Sequence, residues 1–215
     1  MDYHLEWGVV WRFRGVLWAG LLVTLQLAVL GTLGALALGI PVGAATAGRL
    51  GFLRSLARSY VEFLRNVPVV VKLFFFYFAF GFGEIWASVL GLALHQSAYI
   101  ADVVRAGVQS IPPTQVEAAL SSGLSRLQTA RHVVVPQALR LVIPPLTSQV
   151  IEVVKNSSVA MMISVTELTF ATQEIEHATF RGFEAATAVT GLYLALGLAI
   201  AWGMGRLEVA VRLRS

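Results

Sequence analysis

The sequence predicts an all-α integral membrane protein with about five transmembrane helices. Hydrophobic residues make up 57% of the 215 residues, and charged residues only 13%. A soluble domain carries roughly 25% charged residues. Mean hydropathy is +0.74. The apolar residues are gathered into runs, and a helix is the simplest way for such a run to satisfy its backbone hydrogen bonds in lipid. The fold class follows from these observations.

The apolar residues fall into five runs separated by charged connections. The first lies between Arg14 and Arg49 without a charged residue, and its surplus over the roughly 20 residues of one span can be absorbed by tilt. The second run contains Lys72, and a very tight turn at 81–84 would join it to the third. The later predicted spans lie at 67–82, 85–101, 141–165 and 185–205.

Two local patterns accompany the first span. Residues 2–14 alternate aromatic and charged side chains, which is typical of a helix lying at the membrane interface. Gly39 and Gly43 have the spacing that permits close helix packing, although Pro41 between them could equally produce a simple kink. We expect no cleavable signal peptide, because the first residues include acids and lack a clean apolar segment.

The distribution of Lys and Arg predicts the orientation of the spans, because these residues concentrate in cytoplasmic connections. With five spans, one side carries eleven of the 16 basic residues and the opposite side carries three, while Lys72 and Lys155 lie within the runs. We therefore expect the N-terminus outside and the C-terminus in the cytoplasm. The net charge of +4 reflects this bias and does not indicate nucleic-acid binding.

A polar segment at 117–136 interrupts the apolar runs and has helix-forming sequence. Two prolines at 112–113 are expected to end any helix that precedes them. Thr114 and Glu117 have the spacing of a capping box, which predicts a helix from Gln115 onward.

This first short helix is expected to meet a second one at a corner. Gly123 can adopt the left-handed conformation that ends a helix. Ser125 and Gln128 form a second, weaker capping box, and the helix that follows is expected to run toward a closing Pro136. Local chemistry alone allows either an ordinary ordered loop or an elbow that docks on a partner.

The spacing in this segment resembles the EAA loop of ABC-importer permeases, in which the loop is a coupling helix that docks on a cytoplasmic ATPase. The matching residues are Glu117, Ala118, Ala119, Gly123, Val133, Val135 and Pro136. Flanking segments are similar to one branch of the family, the polar amino acid permeases. These segments are 60–68, 98–101, 136–140 and 155–160, and the resemblance covers roughly 18–207.

The resemblance implies that residues 1–215 form one permease domain of a bacterial ABC importer in the inner membrane. The implied substrate is a polar amino acid. The implied partners, besides membrane lipid, are a cytoplasmic ATPase dimer, a second identical or related permease subunit and a periplasmic solute-binding protein. The chain itself is expected to be no enzyme and to bind no cofactor, because ATP belongs to the partner.

A polar patch in the fourth run is the candidate substrate path. A lysine within a span usually faces protein or a water-filled path, and Lys155 is followed by Asn156, Ser157 and Ser158. Many relatives carry an acid after this lysine, so the neutral Asn156 leaves a more positive field that favours glutamate or aspartate. Glutamine, basic amino acids and cystine are the alternatives. The alternative for Lys155 is a purely structural role, as an i, i+3 ion pair with Glu152 on one helix face.

A second group, at the inner end of the second span, matches a family motif and is assigned to assembly or gating. It consists of Arg65, Asn66 and Pro68. Pro68 is expected to set a helix start. Arg65 could equally serve only as a positive-inside anchor. One departure from the family is the short connection between Phe82 and Ile85, which puts the outer gate and the contact with the delivery protein in doubt.

Other classes of protein find little support in the sequence. It contains no GxxxxGK[ST], HExxH or GxSxG pattern, which argues against nucleotide binding, a zinc protease and an intramembrane hydrolase. There are no cysteines, and the four histidines are scattered, so we expect no metal site and no catalytic residues. A secondary transporter is the remaining rival, but such proteins usually contain inverted repeats and more spans.

Overall fold

A computed structural model of the chain describes residues 4–48 and 50–212, excluding the side chain of Arg212. Ten α-helices occur in this part of the chain. They are α1 Gly8–Arg12, α2 Arg14–Ala47, α3 Gly51–Asn66, α4 Val69–Phe74, α5 Glu84–Gln109, α6 Pro113–Ser121, α7 Arg126–Thr129, α8 Val135–Asn156, α9 Leu168–Thr179 and α10 Gly182–Arg212. Helix α4 continues into a π-helical turn, Phe75–Ala79, and α7 into a second one, Ala130–Val134. Helix α8 continues into a 3-10 helix, Ser157–Ile163.

The predicted all-α membrane fold is confirmed. Three helices, α2, α5 and α10, are long and apolar enough to cross a membrane by length and composition. They contain the first, third and fifth predicted spans. The second predicted span contains a shorter apolar helix, Val69–Ala79. The fourth contains most of α8, which is more polar.

Close packing of α2 on α5 organises the centre of the molecule. The two helices run parallel, and Gly31, Gly39 and Gly43 of α2 face α5. A Cβ atom on Gly39 would lie 2.7 Å from the carbonyl oxygen of Ser97, and one on Gly43 would lie 2.6 Å from that of Ala101. Helix α2 continues through Pro41, and the glycines on either side of it let α5 approach closely. The glycine spacing therefore serves helix packing.

The second predicted span is shorter than its sequence run. Its helix begins directly after Pro68, as expected, and ends in the π-helical turn at 75–79. The tight turn follows at Gly81, whose φ of +69° favours glycine. The basic segment before this run is itself a 16-residue helix, α3, which packs across α2 and α5. Its arginines predict only a charged connection, so this helix is a correction to the sequence-based expectation.

Lys72 joins these short helices, which explains how a lysine is tolerated within an apolar run. Its side chain is buried, and Nζ donates to the carbonyl oxygens of Leu64, at 2.7 Å, and Val67, at 2.6 Å. Nζ also lies 3.0 Å from Nδ1 of His95. The ammonium group therefore satisfies the last carbonyls of α3, a favourable position for a cation.

Helix α9 and the beginning of α10 pack against the N-terminal part of the chain, on the side where α2 starts. Helix α9 packs between α2 and α10 through Leu168, Ala171 and Ile175. The predicted interfacial helix within residues 2–14 is helical only over α1, and residues 2–3 lie outside the described part of the chain. The backbone N–H of Glu6 donates to the buried carboxylate of Glu184, at 2.8 Å, which ties the N-terminal segment to α10.

Candidate functional site

The elbow consists of α6, a glycine corner and α7. Gly123 has φ +86°, as its sequence position predicted. Its N–H donates to the carbonyl oxygen of Leu120, at 3.0 Å, and the N–H of Leu124 donates to that of Ala119, at 3.2 Å. This pair of bonds is the Schellman arrangement, which closes α6 and turns the chain. The predicted capping box of Ser125 and Gln128 is present and starts α7.

Two local predictions about the elbow are wrong. Helix α6 begins at Pro113 with Pro112 at the N-cap, so Thr114 lies inside the first turn and forms no capping box with Glu117. The physical reason is that proline at the first helical position loses no hydrogen bond and already has a helical φ. Pro112–Pro113 therefore starts this helix two residues earlier than a threonine cap would.

Pro136 does not close the second helix, which continues through it into α8. A proline inside a helix normally breaks it. The π-helical turn immediately before Pro136 inserts one extra residue, so that the N–H of Val135 bonds to Ala130. The side-chain amide of Gln137 also donates to the carbonyl oxygen of Val133, at 2.9 Å.

The elbow presents an accessible surface. Glu117 and Ala118 are exposed, while Ala119 is buried against the rest of the elbow. Leu127, at the start of α7, is 79% exposed. A groove of about 160 Å³ separates the two arms, and it is lined by Val116, Leu120, Arg126, Thr129, Ala130 and Val134. The elbow therefore offers an exposed apolar side chain and a groove on its surface.

The predicted substrate patch divides into two parts. Nζ of Lys155 lies 2.8 Å from Oε1 of Glu152, which is the i, i+3 pair that the sequence analysis gave as its alternative. Lys155 and Ser158 line a cavity, whereas Asn156 and Ser157 are not among its lining residues. Ser157 is buried, and its hydroxyl donates to a backbone carbonyl of its own helix where α8 tightens into the 3-10 helix.

The cavity lies between the end of α8, α9 and the first half of α10, and its volume is about 380 Å³. This volume is in the range of small-molecule sites. Hydroxyl-bearing side chains dominate its polar lining. Its lining residues are Lys155, Ser158, Thr169, Thr172, Ala186, Val189, Thr190 and Tyr193. The threonines and the tyrosine could not be identified from the sequence, because single hydroxyl groups in apolar helices are uncharged and follow no recognisable pattern.

A buried carboxylate shapes one wall of this cavity. Glu167 caps the N-terminus of α9 by accepting hydrogen bonds from the N–H groups of Thr169, at 2.8 Å, and Phe170, at 2.9 Å. The hydroxyl of Tyr193 donates to the same carboxylate at 2.6 Å. Burial away from water raises the pKa of Glu167. The carboxylate therefore holds Thr169 and Tyr193 in place at the cavity wall.

The third predicted group forms an ion-pair network that the sequence did not indicate. Arg65 pairs with Asp102 of α5 and lies over the ring of Tyr99, 5.3 Å from its centroid. Asp102 also pairs with Arg105 at 3.2 Å. The amide of Asn66 donates to the carbonyl oxygen of Glu62 near the end of α3. An i, i+37 separation gives no local pattern, so the pairing could not be found from sequence.

Comparison with known proteins gives one consistent family. Residues 39–213 match the family described as binding-protein-dependent transport system inner membrane component. The chain is 35% identical over 212 residues to the glutamine transport system permease protein GlnP of Escherichia coli K12, covering 95% of this chain and 97% of that protein.

A second relative and a solved structure agree with this. The chain is 30% identical to the glutamate/aspartate import permease protein GltJ of Escherichia coli K12, covering 99% of this chain and 97% of that protein. The crystal structure of an amino acid ABC transporter with histidines superimposes with a TM-score of 0.88 at 27% identity, covering 97% of this chain and all of that one.

Proposed function

The chain belongs to the family of binding-protein-dependent transport system inner membrane components, and on that premise we propose that it is the permease subunit of a bacterial ABC importer for polar amino acids. The observation that carries the proposal is the accessible elbow, a pair of short helices between the end of α5 and the start of α8. ATP binding and hydrolysis belong to a partner subunit. A periplasmic binding protein delivers the substrate.

The elbow is the surface on which the ATPase docks. Glu117 and Ala118 are exposed on α6, and the small alanine allows close approach of a partner. Gly123 fixes the angle between the two arms, and Leu127 offers an apolar anchor beside the groove. Since the basic connections also lie on this side, the elbow faces the cytoplasm and the N-terminus lies outside.

The cavity beside Lys155 is the substrate site, and a neutral polar amino acid such as glutamine is the substrate that fits it best. Glu152 neutralises the charge of Lys155, so the cavity offers hydroxyl groups and a balanced ion pair instead of an unpaired cation. The likeness to glutamine permeases supports this substrate. The acidic substrate expected from the sequence stays a prediction, supported by the likeness to GltJ.

A second permease subunit covers this side of the chain. The side chains of Lys155 and Glu152 are 61% and 45% exposed near the end of a long helix. Charged groups at membrane depth face protein or a water-filled path, because burial in hydrocarbon is costly. A like subunit, identical or related, would close the cavity and complete a path between the two chains.

The experiment is uptake by the complete importer, reconstituted in proteoliposomes with its ATPase and binding protein. Labelled glutamine should be taken up only with ATP inside, and unlabelled glutamine should compete better than glutamate or aspartate. Stronger competition by the two acidic amino acids would favour the acidic substrate. Uptake driven by an ion gradient without ATP would contradict the importer assignment.

A further inference from the structure

Helix α3 has an apolar side that the rest of the chain only half covers. Ala57, Val61 and Leu64 are buried against α2 and α5. Beside them, the exposed apolar face consists of Phe52, Leu56 and Phe63. These three side chains are 84%, 59% and 68% exposed. They lie on one side of the helix, because positions 52, 56 and 63 differ by nearly whole turns.

The remaining side of α3 is continuously polar. At about 100° per residue, its members occupy an arc of roughly 140°. This polar face consists of Arg54, Ser55, Arg58, Ser59, Glu62, Arg65 and Asn66. It carries three arginines and one carboxylate, so it is a cationic surface. The helix thus combines an exposed apolar face with a cationic face.

Two of the three arginines have donors that the described residues do not satisfy. Arg65 is paired with Asp102. Nε of Arg54 is buried and has no hydrogen-bond partner in the described part of the chain. Arg58 is exposed and forms no ion pair with any residue that the structure describes. Arg58 therefore gives the polar face unused capacity for an anion.

An apolar hollow continues from the exposed apolar face. Its volume is about 340 Å³, it lies between α3 and α4, and Lys72 is its one charged lining residue. Nζ of Lys72 is turned away to the carbonyl oxygens of Leu64 and Val67. The hollow's walls are therefore hydrocarbon, including Phe63, Val71 and Phe75, and favour an apolar occupant.

We propose that α3 is a lipid-binding helix whose exposed apolar face and adjoining hollow hold acyl chains, while Arg58 binds the headgroups of anionic phospholipids and Arg54 adds its positive charge one turn away. A helix with one apolar and one cationic face lies in the membrane interface and is attracted to anionic lipid. The cytoplasmic leaflet is the anionic one, and the inference rests on the cytoplasmic orientation of α3 given under the proposed function. Because α3 packs on α2 and α5, headgroup binding would hold these helices together, and the ATPase activity of the importer is then expected to depend on anionic lipid.

The position of α3 can be tested directly because the chain contains no cysteine. Single cysteines replacing Leu56 and Ser59 would each carry a spin label in the complete importer in lipid nanodiscs. We expect the label at 56 to be accessible to oxygen dissolved in the bilayer, and the label at 59 to be accessible to a water-soluble nickel complex. Shielding of the label at 59 when the ATPase binds would mean that the polar face meets a protein, and would overturn the proposal.

The charge requirement is tested by the ATPase activity of the same importer in phosphatidylcholine nanodiscs with increasing phosphatidylglycerol. We expect activation by phosphatidylglycerol, and Arg58→Gln should raise the fraction needed for half-maximal activity about fivefold. Arg58→Lys, which keeps the charge, should behave almost as the unmodified chain. Glu62→Gln, which removes the single negative charge of the polar face, should lower the required fraction.

Three results would overturn the lipid inference while leaving the transport assignment intact. They are activity that is independent of phosphatidylglycerol, an Arg58→Gln variant that responds as the unmodified chain does, and activation of neutral nanodiscs by inorganic phosphate alone. The last result would show that the site binds a free anion. Substrate uptake is scored separately, so a failure of the proposed function would appear there and not in the label accessibilities.

Discussion

Gly43 is the tightest point between α2 and α5, and its replacement should separate these helices. A Cβ atom there would lie 2.6 Å from the carbonyl oxygen of Ala101 and 2.7 Å from Cβ of Val104. Ordinary contact begins at 3.4 Å, so the two helices must move apart by about 0.8 Å. Neither neighbouring atom can rotate away, because one belongs to the backbone and the other is fixed to it.

The cost of Gly43→Ala can be estimated from two opposing effects. Overpacking costs about 1–3 kcal/mol, while alanine favours a helix over glycine by about 1 kcal/mol. The net destabilisation is therefore about 1 kcal/mol on average. At about 2–4 °C per kcal/mol for a chain of this size, the melting temperature should fall by about 3 °C.

Gly191→Ala is the matched control, because a Cβ atom at Gly191 of α10 would meet nothing within 4 Å. It receives the helix-propensity gain without the packing cost, so its melting temperature should be equal to or higher than that of the unmodified chain. The assay is loss of monodisperse protein after heating, measured by size-exclusion chromatography in detergent. A Gly43→Ala variant as stable as Gly191→Ala would refute the packing argument.

The other predictions concern the three candidate groups. Gly123→Val should leave the chain inserted but uncouple ATP hydrolysis from substrate, because a φ of +86° costs a β-branched residue at least about 1–2 kcal/mol. Gly123→Asn should retain most of the coupling, since asparagine tolerates this conformation. Equal stimulation of the ATPase in both variants would contradict the role of the corner. Lys155→Met should reduce uptake, because it leaves the carboxylate of Glu152 without its partner. Adding Glu152→Gln removes this unpaired carboxylate and should restore glutamine uptake. If the double variant still fails to take up glutamine, Lys155 contacts the substrate directly. Arg65→Ala should impair recovery of the assembled importer on affinity chromatography more than Arg65→Lys does, since lysine keeps the ion pair with Asp102. Equal recovery of the unmodified chain and the two variants would exclude a role of Arg65 in assembly.

Long, uncharged runs could be read from the sequence because burial in lipid leaves a composition signal. The run between Arg14 and Arg49 became α2, and the run at 185–205 became the centre of α10. The fold class and the family were therefore accessible without coordinates. The second span was harder, because Pro68 divides an amphipathic helix from an apolar one and only the apolar half resembles a span.

The site was only partly predictable, for a different physical reason. Gly123 and the Ser125 cap follow from local backbone chemistry, so they were correct. The contacts of Arg65 with Asp102 and of Tyr193 with Glu167 join distant segments, and no local pattern records them. Thr114 failed as a cap because the preceding prolines had already set the helix start.

The unbroken path of helix through Pro136 has a mechanical consequence. From Arg126 to Asn156 the backbone remains helical, so the elbow and the cavity lie at opposite ends of a single rod about 45 Å long. A rod transmits rotation without needing a chain of rearranging side chains. Tilting the elbow end by about 5° would swing the other end by about 4 Å, enough to open or close a small-molecule cavity. The prolines at 136, 144 and 145 and the π-helical turn lie along this helix, and features of these kinds are where helices bend.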